Sequence, residues 1–327
     1  MEFWYRPLSW RDALWIVLLA PLTAIFALLS GIRRAQYRLG QRHAYPSNAP
    51  VVVVGNISVG GTGKTPVTLA LVEALQARGI TVAIVSRGYG AQCVAFPRVV
   101  ECADRAMEVG DEPLLLARRG KCPVVIDPDR CRGVAFINAQ FSPNIIISDD
   151  GLQHYAMARE YEIIVSDAAR GFGNGFLLPL GPLREPLSRL QSANAHFING
   201  DVEVGFELQW RAVVNVATGE RLAVHDFDFA AATCAIAGIG HPQRFFDQLA
   251  RRGFVGRTLA FPDHHPFTEG DIAEGEIVVM TEKDAVKCAQ LIHAASFWYV
   301  EVAAIWHNTA FEQSLEDIIA LIGENKA

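Results

Sequence analysis

The chain has 327 residues, of which 51% are hydrophobic and 20% charged, with a formal net charge of −6 at pH 7. That length suits about two domains, and the composition excludes a disordered, collagen-like or low-complexity protein. The acidic balance, with a pI near 5.9, argues against a general nucleic-acid binder, whose footprint is a basic excess.

A mean hydropathy of +0.20 requires a segment that prefers lipid, and residues 13–32 supply it: twenty positions without a charge. As a helix at ~1.5 Å per residue they span about 30 Å, the thickness of a hydrocarbon core. Pro21 kinks such a helix, which lipid tolerates better than water does. Arg33, Arg34, Arg38 and Arg42 follow, with no acid before Glu73, whereas Arg6 and Arg11 on the near side are offset by Glu2 and Asp12. The positive-inside rule puts the chain after residue 32 in the cytoplasm. The exit LLSGIRR lacks the small-residue pattern of a cleaved signal peptide. Residues 1–43 are therefore expected to be an anchor helix with a basic flank.

From residue 50 short apolar runs alternate with helical stretches. VVVVG (51–55), TVAIVS (81–86), CPVVID (122–127), NIIIS (144–148) and YEIIVSD (161–167) read as strands covered on both faces. TPVTLALVEALQARG (65–79) has helical periodicity and a glycine stop. These βα units predict an α/β fold with a P-loop NTPase-like parallel sheet core over residues 44–200. Residues 201–225 read as a β-hairpin linker, and 226–327 as a smaller C-terminal α/β domain. The six cysteines (Cys93, Cys102, Cys122, Cys131, Cys234 and Cys288) have neither C-x-x-C nor paired histidine spacing. They read as reduced thiols of a cytosolic compartment.

GNISVGGTGKTP (55–66) follows a strand and opens a helix, the context of a phosphate-binding loop. Ser58, Val59, Gly60, Gly61, Thr62, Gly63, Lys64 and Thr65 are the nucleotide-binding candidates: small residues let backbone N–H groups close on phosphate, Lys64 reaches the outer phosphates, and Thr65 ligates Mg²⁺. Ser58 stands where the strict pattern has glycine. NIIISDDGLQH ends an apolar strand in Asp149 and Asp150, candidates for the acidic Mg²⁺ partner, with the direct ligand of the two left open. Asp111 and Glu112 in VGDEP suit either catalysis or the first turn of a helix, whose dipole they complement. SRGYG places Arg87 in a loop able to meet phosphate. PLGPLREP holds Arg184 and Glu185 in a rigid loop, and FPDHHPF sets His264 and His265 beside Asp263.

Taken in order behind an apolar helix, GNISVGGTGKTP, SRGYG, VGDEP, DDGLQH, PLGPLREPL, FPDHH and TEKDAVK resemble the tetraacyldisaccharide 4'-kinase (lipid A 4'-kinase) family over residues 1–290. The resemblance implies transfer of the γ-phosphate of ATP, with Mg²⁺, to the 4'-hydroxyl of a tetraacylated glucosamine disaccharide 1-phosphate on the cytoplasmic face of the bacterial inner membrane. It makes Lys64 the phosphate lysine, Asp111 the general base and His264 its partner, and it puts Glu112, Arg130, Gln153, His154, Arg184 and Glu185 in substrate or supporting roles. The implied partners are the glycolipid and membrane lipid, with no nucleic acid and no protein partner. The rival reading is a membrane-tethered nucleotide switch; its guanine-reading motif would be TEKD (281–284), where the lysine spacing fails by one.

Overall fold

The computed structural model describes residues 2–6, 9, 12–93, 95–203, 205–292 and 294–324; Arg11 lies outside them. After a 3₁₀ turn, Glu2–Tyr5, come α1 (Ala13–Arg38), β1 (Val51–Gly55), α2 (Lys64–Ala77), β2 (Val82–Ser86) and β3 (Arg98–Val99). Next are α3 (Ala106–Val109), α4 (Asp111–Gly120), β4 (Val124–Ile126), α5 (Arg130–Phe141), β5 (Ile145–Asp149), β6 (Tyr161–Asp167) and β7 (Ala195–Asn199). The last third runs through β8 (Phe206–Asn215), β9 (Arg221–Leu222), β10 (Cys234–Ala237), α6 (Pro242–Ala250), β11 (Arg257–Ala260), β12 (Val278–Thr281), α7 (Glu282–Cys288), β13 (Phe297–Trp306) and α8 (Ala310–Glu324).

The chain divides into two compact units, the first made of Met1–Arg87, Asp129–Glu207 and Trp306–Ala327. Its sheet runs β2-β5-β1-β6-β7, each neighbouring pair parallel. β1, β2 and β5 are buried at every position, which is why their sequences are apolar throughout and do not alternate. β5 and β6 flank β1 on opposite sides, so the connections diverge at its carboxyl end, where α/β sheets bind ligands. α2 buries Val67, Leu71, Val72 and Leu75, and Gly79, at φ 75°, lets the chain turn away after it. α8 returns to this unit: Phe311 stacks on Trp306 with ring centroids 4.1 Å apart, and Tyr161 donates to Asp317 at 3.3 Å.

α1 belongs to this unit too, yet none of its residues is buried. Leu14, Val17, Leu18, Leu22, Ile25, Leu28 and Leu29 are all more than half exposed, and by length and composition the helix is able to cross a membrane. Its Thr23 hydroxyl accepts a hydrogen bond from the Leu180 N–H at 3.1 Å. The preceding turn is docked as well. Trp4 is buried, its indole donating to the Pro179 carbonyl at 3.2 Å and its carbonyl accepting from the Asn174 N–H at 2.7 Å.

The second unit is Gly88–Pro128 with Leu208–Ile305. Its strands run β11-β10-β12-β13-β8, with β9 paired antiparallel to β8. β10, β11, β12 and β13 pair in parallel, and β3 with β4 forms a short antiparallel ladder. Phe245, Phe246 and Leu249 of α6 fill one core; Phe267, Ile272 and Phe297 contribute to another.

The expected sequential division at residues 200 and 225 therefore differs from the observed units. Residues 88–128 join the C-terminal unit because ion pairs tie them to it, among them Arg119–Glu282 at 2.8 Å and Glu112–Lys283 at 3.0 Å. In the stretch expected as a hairpin linker, β8 pairs antiparallel with β9 and also lies beside β13 in the second unit's sheet. Deleting residues 1–32 is expected to abolish co-sedimentation with lipid vesicles at high salt while far-ultraviolet circular dichroism retains the α/β signature, because the sheet begins at Val51. Persistent vesicle binding at high salt would contradict α1 as the anchor.

Candidate active site

The loop that leaves β1 is held from behind by residues 182–184. The Arg184 N–H donates to the Ile57 carbonyl at 2.7 Å, the Val59 N–H donates to Pro182 at 2.9 Å, and Ser58 forms an antiparallel bridge with Leu183. That pairing explains the serine: strand-like backbone needs no glycine. Glycine is needed where φ is positive, at Gly60 (106°) and at Gly63 (95°), the residue before α2. A Cβ on Gly60 would sit 2.4 Å from the Arg170 guanidinium, which in turn lies 4.5 Å over the Tyr5 ring. The buried hydroxyl of Thr62 has no hydrogen-bond partner among the described residues.

Lys64 opens α2, and its ammonium is 3.4 Å from Asp150 Oδ1; the Arg184 guanidinium reaches Asp150 Oδ2 at 3.0 Å. Asp150 has a left-handed backbone (φ 48°) anchored by its N–H on the Val54 carbonyl at 2.9 Å, a turn that brings its carboxylate to the lysine. Burial pushes this carboxyl up, but the charges of Lys64 and Arg184 outweigh it and hold it below its ordinary value. Asp149, the preceding residue, ends β5 in register with Val54 of β1 and is buried, with the Ser86 hydroxyl donating to it at 3.4 Å.

Behind the loop lies a buried polar network. Gln153 donates to the Asn56 carbonyl at 3.2 Å and to Glu185 Oε1 at 2.7 Å, while Glu185 Oε2 accepts from Tyr155 and, at 3.1 Å, from Arg189. Glu185 is 3% exposed, so every hydrogen bond it makes substitutes for lost water. His154 packs at 3.7 Å from the Cys131 sulfur and 3.9 Å from Asp129. Burial, with the charge of Arg130, pushes the imidazole down to about 4, so it is neutral at physiological pH. Burial raises the neighbouring Cys131 thiol to about 11, which keeps it protonated.

The second unit carries its own charged cluster. Gly110, at φ 91°, turns the chain into α4, whose first residue is Asp111. The Asp111 carboxylate accepts from the Glu112 N–H at 2.9 Å, and its two oxygens lie 2.9 and 3.1 Å from His264 Nδ1. His264 has φ 62°, a left-handed conformation uncommon for a residue with a side chain, and its ring packs on Tyr89 at 5.1 Å. Burial raises the Asp111 carboxyl, but the His264 hydrogen bond and the charges of Lys283 and Lys287 prevail and hold it low. The Asp111 hydrogen bond raises the His264 imidazole above its ordinary value, against burial. Lys283 lies 3.0 Å from Glu112, 3.1 Å from Asp263 and 3.9 Å from Asp111.

The first unit thus holds a glycine-rich loop beside a Lys64–Asp150–Arg184 cluster, and the second a carboxylate–imidazole pair. The family model described as tetraacyldisaccharide-1-P 4'-kinase matches residues 15–320. The tetraacyldisaccharide 4'-kinase of Aeromonas hydrophila is 46% identical over 308 residues, covering 93% of this chain and 91% of its own. That of Pseudomonas aeruginosa is 44% identical over 297 residues, with 89% of each chain covered. This chain belongs to the tetraacyldisaccharide 4'-kinase family. It is a kinase, a phosphotransferase with an alcohol group as acceptor. The crystal structure of the Aquifex aeolicus family member LpxK in complex with ATP has a TM-score of 0.78 to this chain at 26% identity, covering 93% of this chain and 98% of that one.

Within this kinase the fold joins Lys64, Asp150 and Arg184 in one cluster and Asp111 with His264 in another. Glu112 reaches that second cluster through Lys283. Gln153 and Glu185 face each other behind the loop, and His154 sits with Cys131. Arg87 is exposed. Two residues that sequence reasoning passed over stand out. Lys283 was legible only as one lysine of TEKDAVK, and Arg170 carried no motif at all. If Glu185 braces the loop, Glu185→Ala leaves buried partners unpaired and is expected to lower the unfolding free energy by about 3 kcal/mol in urea titration. Unchanged stability would remove it from the scaffold.

Proposed function

We propose that the enzyme transfers the γ-phosphate of ATP to the 4'-hydroxyl of a tetraacylated glucosamine disaccharide 1-phosphate, a step of lipid A biosynthesis, on the cytoplasmic face of the bacterial inner membrane. The observation that carries the chemistry is the Asp111–His264 contact at 2.9 Å. A carboxylate kept ionised inside the protein, with an imidazole on it, suits a group that accepts a hydroxyl proton. The ATP-bound family member supports the nucleotide, and the exposed α1 followed by Arg33, Arg34, Arg38 and Arg42 supports the membrane face.

In this reading the loop from Ser58 to Thr65 binds the phosphates through backbone N–H groups and the α2 N-terminus, and the partnerless Thr62 hydroxyl is available to the same oxygens. Lys64 neutralises charge that builds up on the transferred group. Asp150 holds Lys64 and Arg184 in place. Asp149 and the Thr65 hydroxyl are hard oxygen donors that suit Mg²⁺, and of the two aspartates Asp149 is the better ligand because Asp150 is committed to two cations. Bound by these residues, Mg²⁺ would neutralise phosphate charge. In the second cluster, neutral His264 donates from Nδ1 to Asp111 and orients it. Asp111 accepts the hydroxyl proton late in the transfer, when a weak base suffices. Confinement of enzyme and glycolipid to one surface raises their effective concentration. A guanine-reading switch is disfavoured by TEKD itself: Lys283 is held by acids, and Asp284 is buried on the Gly238 N–H at 3.0 Å.

Lys64→Ala is expected to reduce labelled-phosphate transfer from ATP to the disaccharide by orders of magnitude with the fold intact. Asp111→Asn, whose amide oxygen can still accept from the Glu112 N–H, is expected to cost about 10²–10⁴-fold in kcat with little change in KM for ATP. Protonation of His264 ties up Asp111, so kcat/KM should fall on the acid side with a midpoint above the ordinary imidazole value of 6.5. Near-normal transfer by Lys64→Ala would contradict the phosphate loop, and by Asp111→Asn the proton acceptor.

A further inference from the structure

Four acid–base side chains and one ammonium crowd the start of α4. Asp111 and Glu112 come from α4, Asp263 and His264 from the loop after β11, and Lys283 from the first turn of α7. Around the His264 ring stand Asp111 on Nδ1, Asp263 at 3.8 Å from Nε2, and the Tyr89 ring; Lys287 of α7 adds a more distant positive charge on Asp111. Without Lys283 the three carboxylates would face a single titratable imidazole, and they would repel one another. The lysine side chain is 17% exposed and Asp111 is 6% exposed, so water does little to screen them. The ammonium spends its short contacts on Glu112 and Asp263, at 3.0 and 3.1 Å, and stands back from Asp111 at 3.9 Å. Asp111 is thereby left to His264.

We propose that Lys283 is the positioning residue of the Asp111–His264 pair: by binding Glu112 and Asp263 it draws the competing carboxylates away and fixes α4 and the His264 loop in the geometry that presents Asp111 ionised and its imidazole neutral. The catalytic use of this arrangement rests on the proton-acceptor reading above, but the charge effect on His264 does not. The direction follows from the cluster. Lys283 opposes protonation of His264 and favours ionisation of Asp111, so its loss moves both groups toward protonation and demands a higher pH for the active form.

The experiment uses full-length enzyme with Lys283→Met, Lys283→Gln and Lys283→Arg, the pH profile of kcat/KM, and NMR titration of the His264 ring. Gln keeps hydrogen bonding and serves if Met fails to fold; thermal melting reports on both. The neutral variants are expected to move the acid limb and the ring titration upward together by about one pH unit, the usual worth of a neighbouring charge, with lowered kcat and an unchanged KM for ATP. Arg should restore both midpoints. A stability loss with the acid limb and the ring titration where they are in the wild type would make Lys283 merely structural and overturn the proposal. Failure of the proton-acceptor reading would show separately, as turnover surviving Asp111→Asn. That result would overturn the catalytic use of Lys283 whatever the ring titration shows.

Discussion

An ionised carboxylate taken out of water costs several kcal/mol unless an opposite charge and hydrogen bonds replace the solvent, and this constraint organises a charged cluster in each of the two units. Asp150 meets it with Lys64 and Arg184, and the contact holds Lys64 at the start of α2, at the end of the glycine-rich loop. Asp111 meets it with His264 and the standing charge of Lys283. Buried Glu185 accepts hydrogen bonds from Gln153, Tyr155 and Arg189, and Gln153 links it to the loop at Asn56. At Asp150 and Asp111 the neighbouring charges outweigh burial and hold the carboxyl below its ordinary value.

Much of this was legible in the sequence because it is local. Five apolar runs became β1, β2, β4, β5 and β6, since burial on both faces leaves a signature within a few residues. The glycine-rich loop between β1 and α2 was legible from its spacing, and the bridge of Ser58 to Leu183 accounts for a serine where the strict pattern has glycine. What spacing could not supply was pairing across the chain. Asp111 and His264 lie 153 positions apart and Lys283 171 positions from Glu112, so Asp111 read by itself was equally a helix-dipole residue, and only the family resemblance linked it to His264. The same distance effect hid the discontinuous units, because nothing local tells residues 88–128 that their partners come after residue 207.

The N-terminal segment adds a second lesson about locality. Its hydropathy pointed to an anchor, and α1 indeed leaves its apolar side chains exposed. Unexpected is the attachment of the preceding turn to the phosphate loop: the Tyr5 hydroxyl donates to the Val59 carbonyl at 3.3 Å, and the same ring carries Arg170, whose guanidinium fills the space beside Gly60. The exposed apolar helix and the glycine-rich loop are thus parts of one unit.

The central claim is that Asp111 and His264 accept the proton as one device, and a double-mutant cycle tests it most directly. Partners acting together predict that Asp111→Asn combined with His264→Ala loses little more kcat than the worse single variant. Fully multiplicative losses, with each substitution costing the same whether or not the other is present, would contradict the pairing.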